Sequence, residues 1–188
     1  MNNFLFYQEE ESSGKADMSS EKDQEAPVSC LTTSLIESWC TLVKEKNHVG
    51  ALCNLLKAYR TACHYGDGEE DEFANKYNIS SSHVFNKVMF FTLSEVDGIF
   101  RKMLGIDTKE TSHFDAEKCA RWKKFEPLVK SYLGNTLHIL TQMTDNQMIS
   151  FTLKRLKAST SFMGALPRFA RKYLKVPLIY YPMICFPY

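Results

Sequence analysis

Apolar side chains recur along this chain every three or four positions, the spacing of one face of an α-helix. Leu35, Ile36, Trp39, Leu42 and Val43 form the first such stripe. Ser34-x-x-Glu37 fits a capping box at its start, and the helix is expected to end around Asn47. A second stripe, Val49, Leu52, Leu56, Tyr59 and Cys63, follows so closely that the two helices predict an antiparallel hairpin. Ser80, Ser81 and Ser82 open a third series with Val84, Phe85, Val88, Met89 and Phe91. Leu93, Val96, Ile99, Phe100, Met103 and Leu104 continue it, with Ser94 or Gly98 as dividing points and Gly105 as the stop.

The fourth helical region is predicted from about Asp115 to Thr144, with Trp122, Phe125, Val129, Tyr132, Leu133, Thr136, Leu137 and Leu140 on its buried side. Pro127 is expected to kink it or to begin its second half. Thr144-x-x-Gln147 is another capping-box pattern, followed by Met148, Ile149, Leu153 and Leu156. A last helix from about Ser161 carries Phe162, Leu166, Phe169, Tyr173 and Leu174, with Pro167 near its first turn. No segment sustains the alternation of a strand. The pattern predicts an all-α fold of about six to eight amphipathic helices. Helix pairs of this length suit a HEAT/armadillo-like helical-repeat array, with a compact helical bundle as the rival.

The flanks differ from this body. Residues 1–30 are expected to be a disordered acidic N-terminal segment, and residues 31–175 the helical-repeat domain. Residues 176–188 hold three prolines and no charge, so a non-helical apolar tail is expected, a docking or aggregation liability. The run from Gly66 to Glu72 combines two glycines with five acids and reads as a loop. Its spacing does not match a calcium-binding EF-hand loop, and no metal site is predicted.

Composition excludes several classes. Apolar residues make up 44% and charged residues 24%, with only 8 Gly and 6 Pro, so the chain has material for a core and is neither collagen-like nor of low complexity. Met1 to Gln8 is too short and lacks the basic lead of a signal peptide. No run approaches the ~20 apolar residues of a membrane helix. The six cysteines form no C-x-x-C pair and read as small buried hydrophobes, which suits a reducing compartment.

Signatures of catalysis are scarce. No glycine-rich nucleotide loop, H-E-x-x-H or G-x-S-x-G motif occurs. His48, His64, His83, His113 and His138 stand apart, none three or four residues from another. Cys63-His64 reads as a buried thiol beside an exposed imidazole, since adjacent helical residues point to different sides. His138, between Leu137 and Ile139, reads as a hydrogen-bonded packing residue. No catalytic, cofactor or metal residue is assigned.

Charge carries more signal. The net charge is +1, but residues 1–25 hold seven acids against two bases, and residues 118–175 hold twelve bases against two acids. Lys154, Arg155 and Lys157 crowd one helix; Arg168, Arg171, Lys172 and Lys175 share a face of the next. These seven are the candidates for contact with nucleic-acid phosphates, the rival readings being a solvated face or an acidic partner.

Four blocks in order carry a resemblance. They are Asn78 to Met89 (with Ser81-Ser82-His83-Val84-Phe85-Asn86-Lys87-Val88-Met89), Arg121 to Leu133, Leu137 to Asp145, and Arg171 to Val176. Together they resemble the nucleolar complex protein 2 family over roughly residues 32–176. The resemblance implies a non-enzymatic helical-repeat factor of ribosome biogenesis, without cofactor or small-molecule substrate and not bound to membrane. It would act as a scaffold in the nucleolus and nucleoplasm, in assembly and nuclear export of large-subunit pre-ribosomes. Its implied partners are other nucleolar complex proteins, in a heterodimer, and the pre-ribosomal particle including its rRNA. Family members are far longer and continue their helices beyond the Lys175-Val176 step, so the resemblance also implies a truncated or partial chain. A standalone helical RNA-binding module is the alternative.

Overall fold

The structure is a computed structural model that describes residues 29–65, 67, 77–106 and 114–185, the stretch 177–185 by its backbone alone. Within it the chain forms β1 (Ser29–Cys30), α1 (Thr33–Lys46), α2 (Val49–Cys63), β2 (Tyr77–Asn78), α3 (Ser82–Leu104), α4 (Trp122–Gln142), α5 (Asn146–Leu156), α6 (Thr160–Ala165) and α7 (Pro167–Cys185). Seven helices among the described residues make the fold all-α, as the periodicity predicts. Ser29 and Cys30, placed by the sequence in the N-terminal segment expected to be disordered, instead pair in parallel with Tyr77 and Asn78. The remainder of the acidic N-terminal segment lies outside the described residues, as does the Gly66–Glu72 run apart from Asp67.

Local chemistry sets the helix ends. Thr32, not Ser34, caps α1: its Oγ1 accepts from the Leu35 amide, because the chain is extended at Thr32 and already helical at Ser34. Asn47 closes the helix in the left-handed conformation at φ 50°. His48 then caps α2 through Nδ1, which accepts from Ala51 N at 3.0 Å. Gly50 makes room for that ring, since a Cβ there would stand 3.0 Å from His48 Cε1. Asp145, rather than Thr144, caps α5 by accepting from Met148 N at 2.7 Å. Gly105 ends α3 at φ 73°, a backbone state that costs glycine little.

Three expectations on continuity are corrected. Neither Ser94 nor Gly98 divides α3, which runs unbroken because the apolar stripe on both sides of them is buried. α4 begins at Trp122 instead of Asp115 and includes Pro127 within one helix. α7 continues through Pro177 and Pro182 to Cys185, where a non-helical tail was expected. Proline's fixed φ is itself helical, so it removes one hydrogen bond without requiring a stop. A helix under way gains a bond with each further residue.

Packing largely follows chain order. α1 lies on α2 and α3, α2 also on α4, and α3 on α4 and α5; α7 rests on α4 and α6. This is a helical array whose inner elements, α2, α3 and α4, each touch at least three other helices. Tyr59 of α2 is fully buried, with its hydroxyl 2.9 Å from Thr136 Oγ1. Thr136 donates to Tyr132 O at 2.7 Å, leaving its oxygen to accept from Tyr59. Tyr173 of α7 donates to Leu133 O. These bonds satisfy polar atoms that burial would otherwise penalise.

The fully buried Phe162 of α6 meets Phe100, Phe114 and Trp122, with ring centroids 6.2, 5.8 and 6.4 Å away. Beside it, Asp97 accepts from Arg101 Nε at 2.9 Å and from Ser159 Oγ at 2.8 Å. Arg101 also donates to Ala158 O. A nearly buried ion pair thereby ties α3 to the turn between α5 and α6.

Candidate functional site

The seven predicted basic residues are all exposed. On α5, Ile149, Thr152 and Leu156 turn inward, which leaves Lys154, Arg155 and Lys157 to solvent. Arg155 lies over the Phe151 ring at 5.3 Å, and Phe151 stacks on Phe90 at 5.8 Å and 13°. Phe90 remains 63% exposed. On α7, Tyr173 and Val176 are buried, and Arg168, Arg171, Lys172 and Lys175 stand on an exposed stripe of the same helix. None of the seven forms an ion pair among the described residues. The structure thus presents two basic groups on elements that pack on different neighbours, α5 on α3 and α7 on α4 and α6.

Folding also creates a cluster that spacing did not reveal. His64 follows α2, Asp67 stands three residues on, and His138 comes from α4. His64 Nδ1 and His138 Nε2 each lie 2.8 Å from Asp67 Oδ2. The two rings stack with centroids 4.0 Å apart and planes at 14°. His64 Nε2 faces Asn135 Oδ1 at 3.3 Å, and Asn135 Nδ2 donates to Ser131 Oγ at 3.4 Å. His138 Nε2 is buried and off the line of a hydrogen bond to Asp67, so it has a charge neighbour without an aligned partner. Desolvation pushes the Asp67 carboxyl upward, but the His64 hydrogen bond and the charges of His138 and His64 outweigh it and hold the pKa below the usual carboxylate value.

The sequence reading of His64 as an exposed imidazole is therefore corrected: it is half-buried and shares Asp67 with His138. The only sequence signal was the three-residue step from His64 to Asp67, because His138 arrives through the packing of α2 on α4. The buried thiols of α1 and α2 are of a different character. Burial pushes Cys40 up to about 11 and Cys63 up to about 12, so both stay protonated at neutral pH.

Together these features define a helical array with exposed bases on α5 and α7. Among the described residues no helix is long and apolar enough to cross a membrane. No family model matches the chain. It is 47% identical over 152 residues to Nucleolar complex-associated protein 2 of Arabidopsis thaliana, a match covering 79% of this chain and 20% of the relative. It is 36% identical over 151 residues to Protein REBELOTE of the same plant, covering 78% and 25%. It is 25% identical over 145 residues to an uncharacterized NOC2 family protein of Schizosaccharomyces pombe, covering 76% and 20%. The chain belongs to the nucleolar complex protein 2 family. It spans about a fifth to a quarter of the length of the curated relatives it matches.

Proposed function

We propose that this chain is part of a non-enzymatic ribosome-biogenesis factor that works by displaying shape and charge. The observation that carries the reading is the 47% identity, over 152 residues, to a relative named for a nucleolar complex. In this reading the array is a scaffold in the nucleolus and nucleoplasm. It binds sister nucleolar complex proteins as a heterodimer and supports assembly and nuclear export of large-subunit pre-ribosomes. The helical-repeat domain of residues 31–175 supplies the docking surface. Pull-down from nuclear extract tests this. Enrichment of a sister nucleolar complex protein over a control with scrambled surface residues is expected, and equal recovery would overturn it.

The exposed bases favour a second reading, direct contact with pre-ribosomal RNA. Lys154, Arg155, Lys157, Arg168, Arg171, Lys172 and Lys175 lack carboxylate partners among the described residues, so each is available to a phosphate. Phosphate contacts release condensed counterions, so affinity for structured RNA must fall as salt rises. A flat salt titration would eliminate this reading and leave the protein-binding scaffold.

A further inference from the structure

We propose that His64, Asp67 and His138 form a binding site for a divalent transition-metal ion of the zinc class, clamping the end of α2 to α4. One ligand atom from each lies within 4.8 Å of the other two. Asp67 Oδ2 is the shared corner, 2.8 Å from a nitrogen of each ring. With the facing nitrogens of both rings deprotonated, two lone pairs and a carboxylate oxygen converge here, and a cation between them satisfies all three. One dication does this for both rings together. Two nitrogens and one oxygen match the donors of zinc, whereas calcium and magnesium take oxygen alone.

The surroundings orient the donors. Asn135 is 8% exposed and gives its amide nitrogen to Ser131, so its oxygen is turned to His64 Nε2. That holds a proton on Nε2, the usual support of a ligating histidine, while Nδ1, which donates to Asp67 in the absence of an ion, releases its proton when the ion takes its place. His138 Nε2 is buried without an aligned hydrogen bond, so nothing competes for its lone pair. A tetrahedral zinc site spaces its donors about 3.3 Å apart. The two contacts at 2.8 Å therefore widen by roughly 0.5 Å on binding. The ion lies in the plane of each imidazole it binds, so one ring turns out of the 14° stack. The His64 and His138 side chains are 34% and 27% exposed, which leaves room for that turn and for water at the fourth position.

The test uses the whole chain, tag removed and stripped of metal, titrated with Zn²⁺ by calorimetry and with Co²⁺ by visible absorption. One equivalent of Zn²⁺ should bind, and Co²⁺ should give the intense visible bands of a four-coordinate site. Asp67→Asn at an exposed turn, and His64→Gln and His138→Gln, should each weaken binding at least about tenfold. Far-ultraviolet circular dichroism confirms that each variant is folded, and Asp67→Asn alone suffices if a histidine variant is not. Failure to bind one equivalent would overturn the proposal, showing that the cluster takes protons only. So would full affinity in the folded variants, or a near-ultraviolet sulfur-to-cobalt band that assigns the ion to cysteines. The scaffold reading is independent: pull-down can succeed whatever the metal result.

Discussion

α2 and α5 are both short amphipathic helices, yet they do opposite work. α2 lies among α1, α3 and α4 and buries Ala51, Leu52, Leu55, Leu56, Ala58, Tyr59, Ala62 and Cys63. α5 packs on α3 and buries Ile149, Thr152 and Leu156. A helix surrounded on three sides is fixed by apolar area, which contributes roughly 25 cal/mol per Å² removed from water. A helix resting on one neighbour keeps most of its circumference for solvent or a partner. The array thus separates side chains buried among α2, α3 and α4 from a solvent-facing display of bases on α5 and α7.

The largest test of that separation is Phe162→Ala. It removes the ring shared by Phe100, Phe114 and Trp122 and should cost about 3–5 kcal/mol in denaturant unfolding. Asp97→Ala comes next. It strands Arg101, whose side chain is 13% exposed, and should cost about 3 kcal/mol, which partial solvent access keeps at the low end. A loss under 0.5 kcal/mol would show that the α5–α6 turn is not held through Asp97. Asp145→Ala removes the cap of α5 and should cost about 1 kcal/mol, read as a lower melting temperature. The smallest effect belongs to the display surface. Lys154→Ala and Lys157→Ala should each change stability by under about 0.5 kcal/mol. If RNA is bound there, each should reduce the slope of log affinity against log salt by about one. A large stability loss from either would erase the contrast between the two helices.

The thiols supply a kinetic check on the same contrast. Cys30 is exposed, whereas Cys63 is buried and pushed up to about 12. Alkylation at neutral pH should label Cys30 first and leave Cys63 until unfolding. Fast labelling of Cys63 in the folded protein would mean that the packing around Tyr59 opens readily.

Much of the fold was legible because burial repeats with helical period. Val49, Leu52, Leu56, Tyr59 and Cys63 announced α2, and Gly105 announced the end of α3. The errors lie where neighbouring residues offer the same local chemistry. Ser34 and Thr32 both carry hydroxyls, and Thr144 and Asp145 both carry capping oxygens; the backbone trajectory into the helix chose Thr32 and Asp145. Pro177 and Pro182 misled because a proline's cost is finite and α7 is already under way when it meets them.

By itself, the sequence determined the all-α class, the helical hairpin of α1 and α2, and the four bases that share one face of α7. Each is a property of residues within a few positions of one another. Only the tertiary structure decided that α2 packs against α4 and that His64, Asp67 and His138 meet. Those outcomes depend on which apolar faces close against one another, and helical periodicity marks a face without naming its neighbour.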